Sequence, residues 1–272
     1  MCGRYVLVTK IKTIEKRFNV KVSDTVAGEF IPNTNISHGN KSLVITDKNP
    51  HEASLFQFGF TPFWAKKQFY VINARAEGDK NKANDPEYTG AKEIFLKPMF
   101  RQSIRSKRCL ILADCFYEGP EKEKLSKPYV VYLKNKERPF AFAGIWDEWV
   151  NTETGELIES YAIITTVSNA VTSAIGHHRS PVILHKEQES AWLDQSAELT
   201  DVLQMLQPYD AKAMNAYPVD AAMKHPGENG LELLTPIGER LFPESTYKLY
   251  DELQLQGMGM TTGRRKRLGG EG

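Results

Sequence analysis

The chain has 272 residues, 41% of them hydrophobic, with 13 Phe, 11 Tyr and 4 Trp against 25% charged residues. This is ample material for a folded core of one or two domains and too apolar for a disordered chain. The formal net charge of +1 conceals an asymmetry: residues 258–272 hold Arg264, Arg265, Lys266 and Arg267 against Glu271 alone, so the rest carries 31 basic and 33 acidic residues, about −2 net. A body of that sign excludes coating of duplex DNA by a global basic field, and any nucleic-acid binding must rest on a local arginine cluster. The start shows no signal pattern and no apolar run approaches the ~20 residues that cross a bilayer, so no membrane partner and a cytoplasmic location are expected.

The first five residues, Met1-Cys2-Gly3-Arg4-Tyr5, put a cysteine where loss of the initiator methionine exposes a thiol and a free amine on adjacent carbons. With reference pKa values near 8.5 and 7.7, both groups offer a nucleophilic fraction at neutral pH. Toward an aldehyde the pair forms a Schiff base and then a five-membered thiazolidine. Toward an amide the thiol attacks while the amine takes the proton, as in N-terminal nucleophile hydrolases. On residue type alone, a small apolar residue at a chain start is the commoner reading.

Thr9 is placed to cap a helix over 10–18, where Ile11, Ile14 and Phe18 recur at helical spacing. Residues 19–40 are turn-rich and read as irregular. Residues 42–46 and 53–58 read as strands around the turn signal Asp47-Lys48-Asn49-Pro50. Phe58-Gly59-Phe60-Thr61-Pro62-Phe63-Trp64 then packs four aromatics into seven residues. Gly59 and Pro62 argue against a helix there, which leaves a loop over the core or a stacking wall for unpaired bases. A strand over 69–73 runs into Asn73-Ala74-Arg75-Ala76-Glu77-Gly78, and residues 79–90 form a polar surface excursion. Pro98 opens a helix to residue 106, and Arg101, Arg105, Lys107 and Arg108 suit a solvated C-terminus as well as a phosphate site.

Cys109 and Cys115 lie in an apolar stretch without CxxC spacing and read as buried free thiols. A buried strand over 109–113 leads into Asp114-Cys115-Phe116-Tyr117-Glu118-Gly119-Pro120. Strands over 129–133, 140–146 and 159–166, separated by reversals, suggest an antiparallel meander. Ser168 or Asn169 caps a helical turn ending at Gly176, followed by His177-His178-Arg179-Ser180-Pro181 and a strand over 182–184. Helices over 186–194 and 198–206, a strand near 217–219 and a proline-bounded segment around 231–236 complete the body. No glycine-rich phosphate loop, HExxH, GxSxG or metal-spaced ligand set occurs, so neither cofactor nor metal is expected. Five glycines and four consecutive basic residues mark 258–272 as a flexible tail.

Six segments resemble, in the same order, the SOS response-associated peptidase (SRAP) family of abasic-site processing proteins. They are the N-terminal Met1-Cys2-Gly3-Arg4-Tyr5; Asn73-Ala74-Arg75; Arg108-Cys109 through Phe116-Tyr117-Glu118; Phe142-Ala143-Gly144-Ile145-Trp146; Thr165-Thr166 with Asn169; and His177 through Leu184. The resemblance implies an α+β fold: a single compact domain over 2–237 with a curved, largely antiparallel β core and peripheral helices. An extension over 238–257 and the tail over 258–272 follow. It further implies a monomer of the bacterial cytosol or nucleoid, a groove for single-stranded DNA, including DNA at junctions or forks, and a covalent thiazolidine link from Cys2 to an abasic site.

By the same resemblance the catalytic set is Cys2, Asn73, Glu118 and His177. His177 serves as acid and base at the sugar oxygen, Glu118 accepts the amine proton, and Asn73 holds the sugar or the amine. Arg4 and Arg75 grip phosphates, Arg179 extends that track, and Phe63 and Trp64 stack on bases. His178 falls at the family's variable position and is expected to be structural. The chain departs from the family pattern at Gly119, where a tryptophan is usual, at Ser180, Ala76 and Gly78, and at Phe58-Gly59; none of these removes an ionisable residue of the set. Lyase activity accompanies this reading. Two others stay open: an N-terminal-cysteine peptidase or amidohydrolase with autoprocessing, and a noncovalent single-strand-binding protein.

Overall fold

The apolar runs condense into twelve strands among the residues that the computed structural model describes, 2–134 and 138–244. In chain order these are β1 (Arg4–Leu7), β2 (Asn33–Ile36), β3 (Lys41–Thr46), β4 (Ala53–Phe58), β5 (Asn73–Arg75), β6 (Arg108–Ala113), β7 (Cys115–Glu118), β8 (Tyr129–Leu133), β9 (Phe140–Val150), β10 (Leu157–Val167), β11 (Arg179–Pro181) and β12 (Met214–Pro218). Short helices flank them: α1 (Ile11–Phe18), α2 (Asp24–Glu29), α3 (Ser103–Ser106), α4 (Ala170–Ile175), α5 (Lys186–Leu193) and α6 (Leu199–Gln204).

Strands β3, β4, β6, β9 and β10 close into a ring. Strand β3 bonds β4 and β6, β6 bonds β9, and β10 returns to β9 antiparallel and to β4 parallel. Closure leaves no open edge within the ring, which removes the usual hazard of edge pairing. The C-terminal half of β10 outlasts the ring and carries β5, parallel, and β11, antiparallel. The second sheet runs β12-β8-β7-β1-β2, all antiparallel. The two sheets share a core in which Tyr5 meets Phe58 and Phe142 edge-on, Phe116 meets Phe142, and Phe58 stacks on Tyr161. Such aromatic pairs add about 0.5–1.5 kcal/mol each beyond the area they bury. The expected α+β architecture, curved and largely antiparallel with peripheral helices, is the one observed.

Several local expectations change. Thr9 does not cap α1; Lys10 takes that position without a side-chain bond, and the Thr9 hydroxyl and amide instead bond Asp114. Asp114 sits where the chain leaves the ring for the second sheet, and it also accepts from Val8 N at 2.7 Å, pinning β1 there. The region 19–40 is more regular than its composition suggests: Ser23 caps α2 and the polar Asn33-Thr34-Asn35-Ile36 forms β2. The expected meander splits, because β8 pairs with β7 and β12 while β9 pairs with β10. The helix over 98–106 reduces to α3, and Arg108 at its end is spent on the carbonyls of Ile104, Arg105, Trp192 and Asp194. Cys109 and Cys115 are free and buried. No helix among the described residues is long and apolar enough to cross a membrane. Residues 245–257 and the basic tail over 258–272 lie outside the described residues.

Candidate active site around Cys2

Strand pairing brings the first residues to the site. Arg4 pairs with Tyr117 across β1 and β7, and continuing that antiparallel register sets Gly3 against Glu118 and Cys2 against Gly119. Cys2 is only 1% exposed. From the other sheet, Asn73 begins β5 beside Ile163, and its Nδ2 donates to Cys2 O at 2.9 Å and to Ile72 O at 3.0 Å. Its Oδ1 is buried and accepts no hydrogen bond among the described residues. A buried acceptor left open is costly and marks a place where a further donor is accommodated.

Glu118 and His177 complete the group. The turn of α4, capped by Asn169, ends at Gly176 in the left-handed region (φ 86°), and His177 N bonds back to Thr172 O. His177 Nδ1 lies 3.0 Å from Gly119 O. A carbonyl only accepts, so Nδ1 carries the proton and Nε2 presents a lone pair toward Glu118 Oε2 at 3.6 Å. Burial pushes Glu118 up to about 7 and His177 down to about 3. His177 therefore stays uncharged at neutral pH while Glu118 divides between its acid and its carboxylate, so the two form no ion pair and the neutral-range titration expected of His177 falls to Glu118. Burial, and secondarily the Glu118 charge, also pushes the Cys2 thiol well up, so it is held as the thiol.

Gly119 explains how the carbonyl reaches the imidazole. A Cβ there would lie 1.9 Å from Lys124 O, so the segment after it packs directly on its backbone and leaves no room for a side chain. The tryptophan usual at this place in the resembling family is incompatible with that packing. His178 stacks on His177, with centroids 4.9 Å apart, and its Nδ1 is 3.1 Å from Glu121.

The expected DNA contacts divide. Phe63 and Trp64 are 53% and 50% exposed on a loop whose backbone is fixed by Asp147 at Phe63 N and by Trp149 at Ala65 O. Phe58 and Phe60 of the same run are buried, so the loop is half core and half surface. Arg75 is half-buried, with Nη1 on Asn81 O at 3.0 Å, and forms no ion pair among the described residues. Arg4 turns inward: its guanidinium bonds Asn35 Oδ1, Lys224 O and Met223 O, bracing β1 and β2 against the turn Ala221–Lys224. Arg179 is 1% exposed and lies against Glu77 and Thr165, beneath the surface. Glu77 and its second partner Lys92 were not legible as site residues; the one sequence signal was the period-two spacing of Asn73, Arg75 and Glu77. No group of three potential metal ligands occurs among the described residues.

A model of the family described as SOS response associated peptidase (SRAP) matches residues 1–226. The abasic site processing protein YoqW of Bacillus subtilis (strain 168) is 36% identical over 240 residues, 86% of this chain and 99% of its own length. The abasic site processing protein HMCES of Gallus gallus is 28% identical over 66% of this chain and 56% of its own. Among solved structures, a protein from Bacteroides thetaiotaomicron superposes with a TM-score of 0.69 at 28% identity, covering 80% of this chain and 92% of that one.

Proposed function

The chain belongs to the SOS response associated peptidase (SRAP) family, and on that premise we propose that it processes abasic sites in single-stranded DNA by bonding to them through Cys2 once Met1 is removed. The observation that carries this reading is the meeting of Asn73, Glu118 and His177 at an N-terminal cysteine. An abasic deoxyribose exposes a small aldehyde fraction on ring opening. The freed Cys2 amine adds to that carbon, the carbinolamine loses water to give an imine, and the thiol then adds across C=N, sulfur to carbon and proton to nitrogen. One water leaves, and nothing is oxidised or reduced. Because the thiol is held protonated, the amine attacks first and the thiol closes the ring second.

Glu118, titrating near 7, takes the amine proton and returns it to the departing hydroxyl. His177 Nε2 shares that proton and passes it to the sugar oxygen for ring opening, while Asn73 Oδ1 receives the freed amine. Arg75 binds phosphate, and Phe63 and Trp64 offer faces to neighbouring bases; such contacts read backbone and lesion, with little base preference, and suit single strands at junctions or forks. An imine not captured by the thiol permits strand cleavage at the lesion, the lyase side of the same chemistry.

The test is a time course of adduct formation on an abasic single-stranded oligonucleotide, resolved on a denaturing gel and followed by mass analysis of the linked peptide. Wild type should give a heat-stable adduct at Cys2, and Cys2→Ala only an imine that borohydride traps. An equally stable adduct in Cys2→Ala, or a linkage at a lysine, refutes the reading. Cleavage of a peptide without any adduct supports the N-terminal-cysteine hydrolase instead, and binding without an adduct supports a noncovalent single-strand binder.

A further inference from the structure

Strand β5 and the segment entering β11 flank opposite edges of β10, for Thr165 pairs with Arg75 on one side and with Pro181 on the other. Each brings a short row of alternate residues: Asn73, Arg75 and Glu77 from one, His177 and Arg179 from the other. The rows meet in a buried cluster. Glu77 Oε2 lies 2.8 Å from Arg179 Nη1, while Glu77 Oε1 is 3.1 Å from Lys92 Nζ and accepts from Thr166 Oγ1 at 2.8 Å. Arg179 Nη2 reaches over β10 to Thr165 O at 2.7 Å. Lys92 comes from the far end of the polar excursion after Gly78, whose return is fixed by Ile94 N on Ala76 O.

Two cations here share one carboxylate. Burial opposes the Glu77 charge, but Arg179 and Lys92 outweigh it and hold the carboxyl below its usual range, so the cluster stays ionised with one positive charge in excess. Burying a second cation without a second carboxylate costs desolvation free energy that a purely structural pair need not incur. Arg75 stands two residues before Glu77 in the same row, and its guanidinium and that of Arg179 repel. Asp79, paired with Lys97 at 2.9 Å, also attracts Arg75 and offsets part of that charge.

We propose that the Glu77–Arg179–Lys92 cluster is a net-positive crossbar between the Asn73–Arg75 row and the His177 row that draws single-strand phosphates toward Arg75 by its charge, with Lys92 setting that affinity without touching the strand. This rests on the single-strand reading above. A unit charge about 10 Å from a phosphate, at an effective dielectric constant of about 40, changes affinity roughly fourfold, and salt screens it.

Two substitutions give the test its sign. Lys92→Met makes the cluster neutral and Glu77→Gln raises its excess charge; both lose the Glu77–Lys92 ion pair, and Glu77→Gln the Glu77–Arg179 pair as well, so a merely structural cluster requires both to weaken binding. Affinity for an undamaged single strand is read by fluorescence anisotropy at about 50 and 200 mM salt. Lys92→Met should bind about two- to fourfold more weakly at the lower salt, with the gap narrowing at the higher, Lys92→Arg should restore binding, and Glu77→Gln should bind at least as tightly as wild type. Lys92→Gln, with Lys92→Arg as control, carries the same test if a Glu77 variant fails to fold. Wild-type affinity in Lys92→Met and Lys92→Gln, or parallel losses in Lys92→Met and Glu77→Gln, overturns the crossbar. Adduct formation on an abasic strand is measured separately: an adduct from wild type alongside either of those results leaves the single-strand reading standing, whereas a wild type with neither adduct nor binding overturns both.

Discussion

Replacing Glu118 with glutamine isolates the charge that the site holds back. Burial raises this carboxyl from 4.5 to about 7, so between those values the folded protein keeps a proton that the unfolded chain releases. Stability therefore falls as pH rises through that window and levels off above about 7. At 1.36 kcal/mol per pKa unit, the penalty at about pH 8 is roughly 3 kcal/mol. Glutamine cannot ionise, so Glu118→Gln should exceed wild type in stability by about that amount at pH 8 and match it near pH 4. Urea unfolding at both pH values reads the effect as a midpoint shift at constant m. His177 works in the opposite sense: pushed down to about 3, it makes wild-type stability fall as pH drops below 6.5. Subtracting the variant curve from that of wild type removes this common contribution. A difference that fails to grow from pH 4 to pH 8 would refute a protonated Glu118 in the fold. The same variant should form adduct about 10² to 10⁴ times more slowly and lose the pH step near 7.

Gly119→Ala forces a Cβ to within 1.9 Å of Lys124 O, so it should lower stability by about 1–3 kcal/mol and slow adduct formation by drawing Gly119 O off His177. An unchanged melting temperature would show that the segment after Gly119 does not clamp the imidazole. Arg4→Ala and Arg75→Ala should separate cleanly. The first removes buried charge-assisted bonds worth about 1.5–3 kcal/mol each and should appear in thermal melting. The second should melt like wild type yet bind single strands more weakly, with a salt slope smaller by about one. Identical melting losses in the two would remove Arg75 from the phosphate contact.

What the sequence disclosed follows from where each signal resides. Strands β3, β4 and β8 were legible because β-branched and aromatic residues mark them, β6 because it is an unbroken apolar run, and Ser168 or Asn169 announced α4 through a local capping rule. Strand β2 was not: its polar side chains are satisfied across the molecule, Asn35 by Arg4 and the carbonyls of His225 and Glu228, and Thr34 by Asn229, so no hydrophobic alternation marks it. The sheet to which β8 belongs was equally hidden, since reversal length fixes neighbours only when the next strand is the partner. The site divides along the same line. Cys2, Asn73, Glu118 and His177 stood in recognisable segments, and the structure brings them together, but which of Glu118 and His177 titrates near neutrality depends on burial and on a carbonyl from Gly119. The arginines show the limit most plainly. Arg4, Arg75 and Arg179 are alike in type and in motif, yet one braces a turn, one stands half open and one is locked beneath the sheet. Only the positions of Lys224 O, Asn81 O and Glu77 separate them, and those positions are set by chain folding rather than by local sequence.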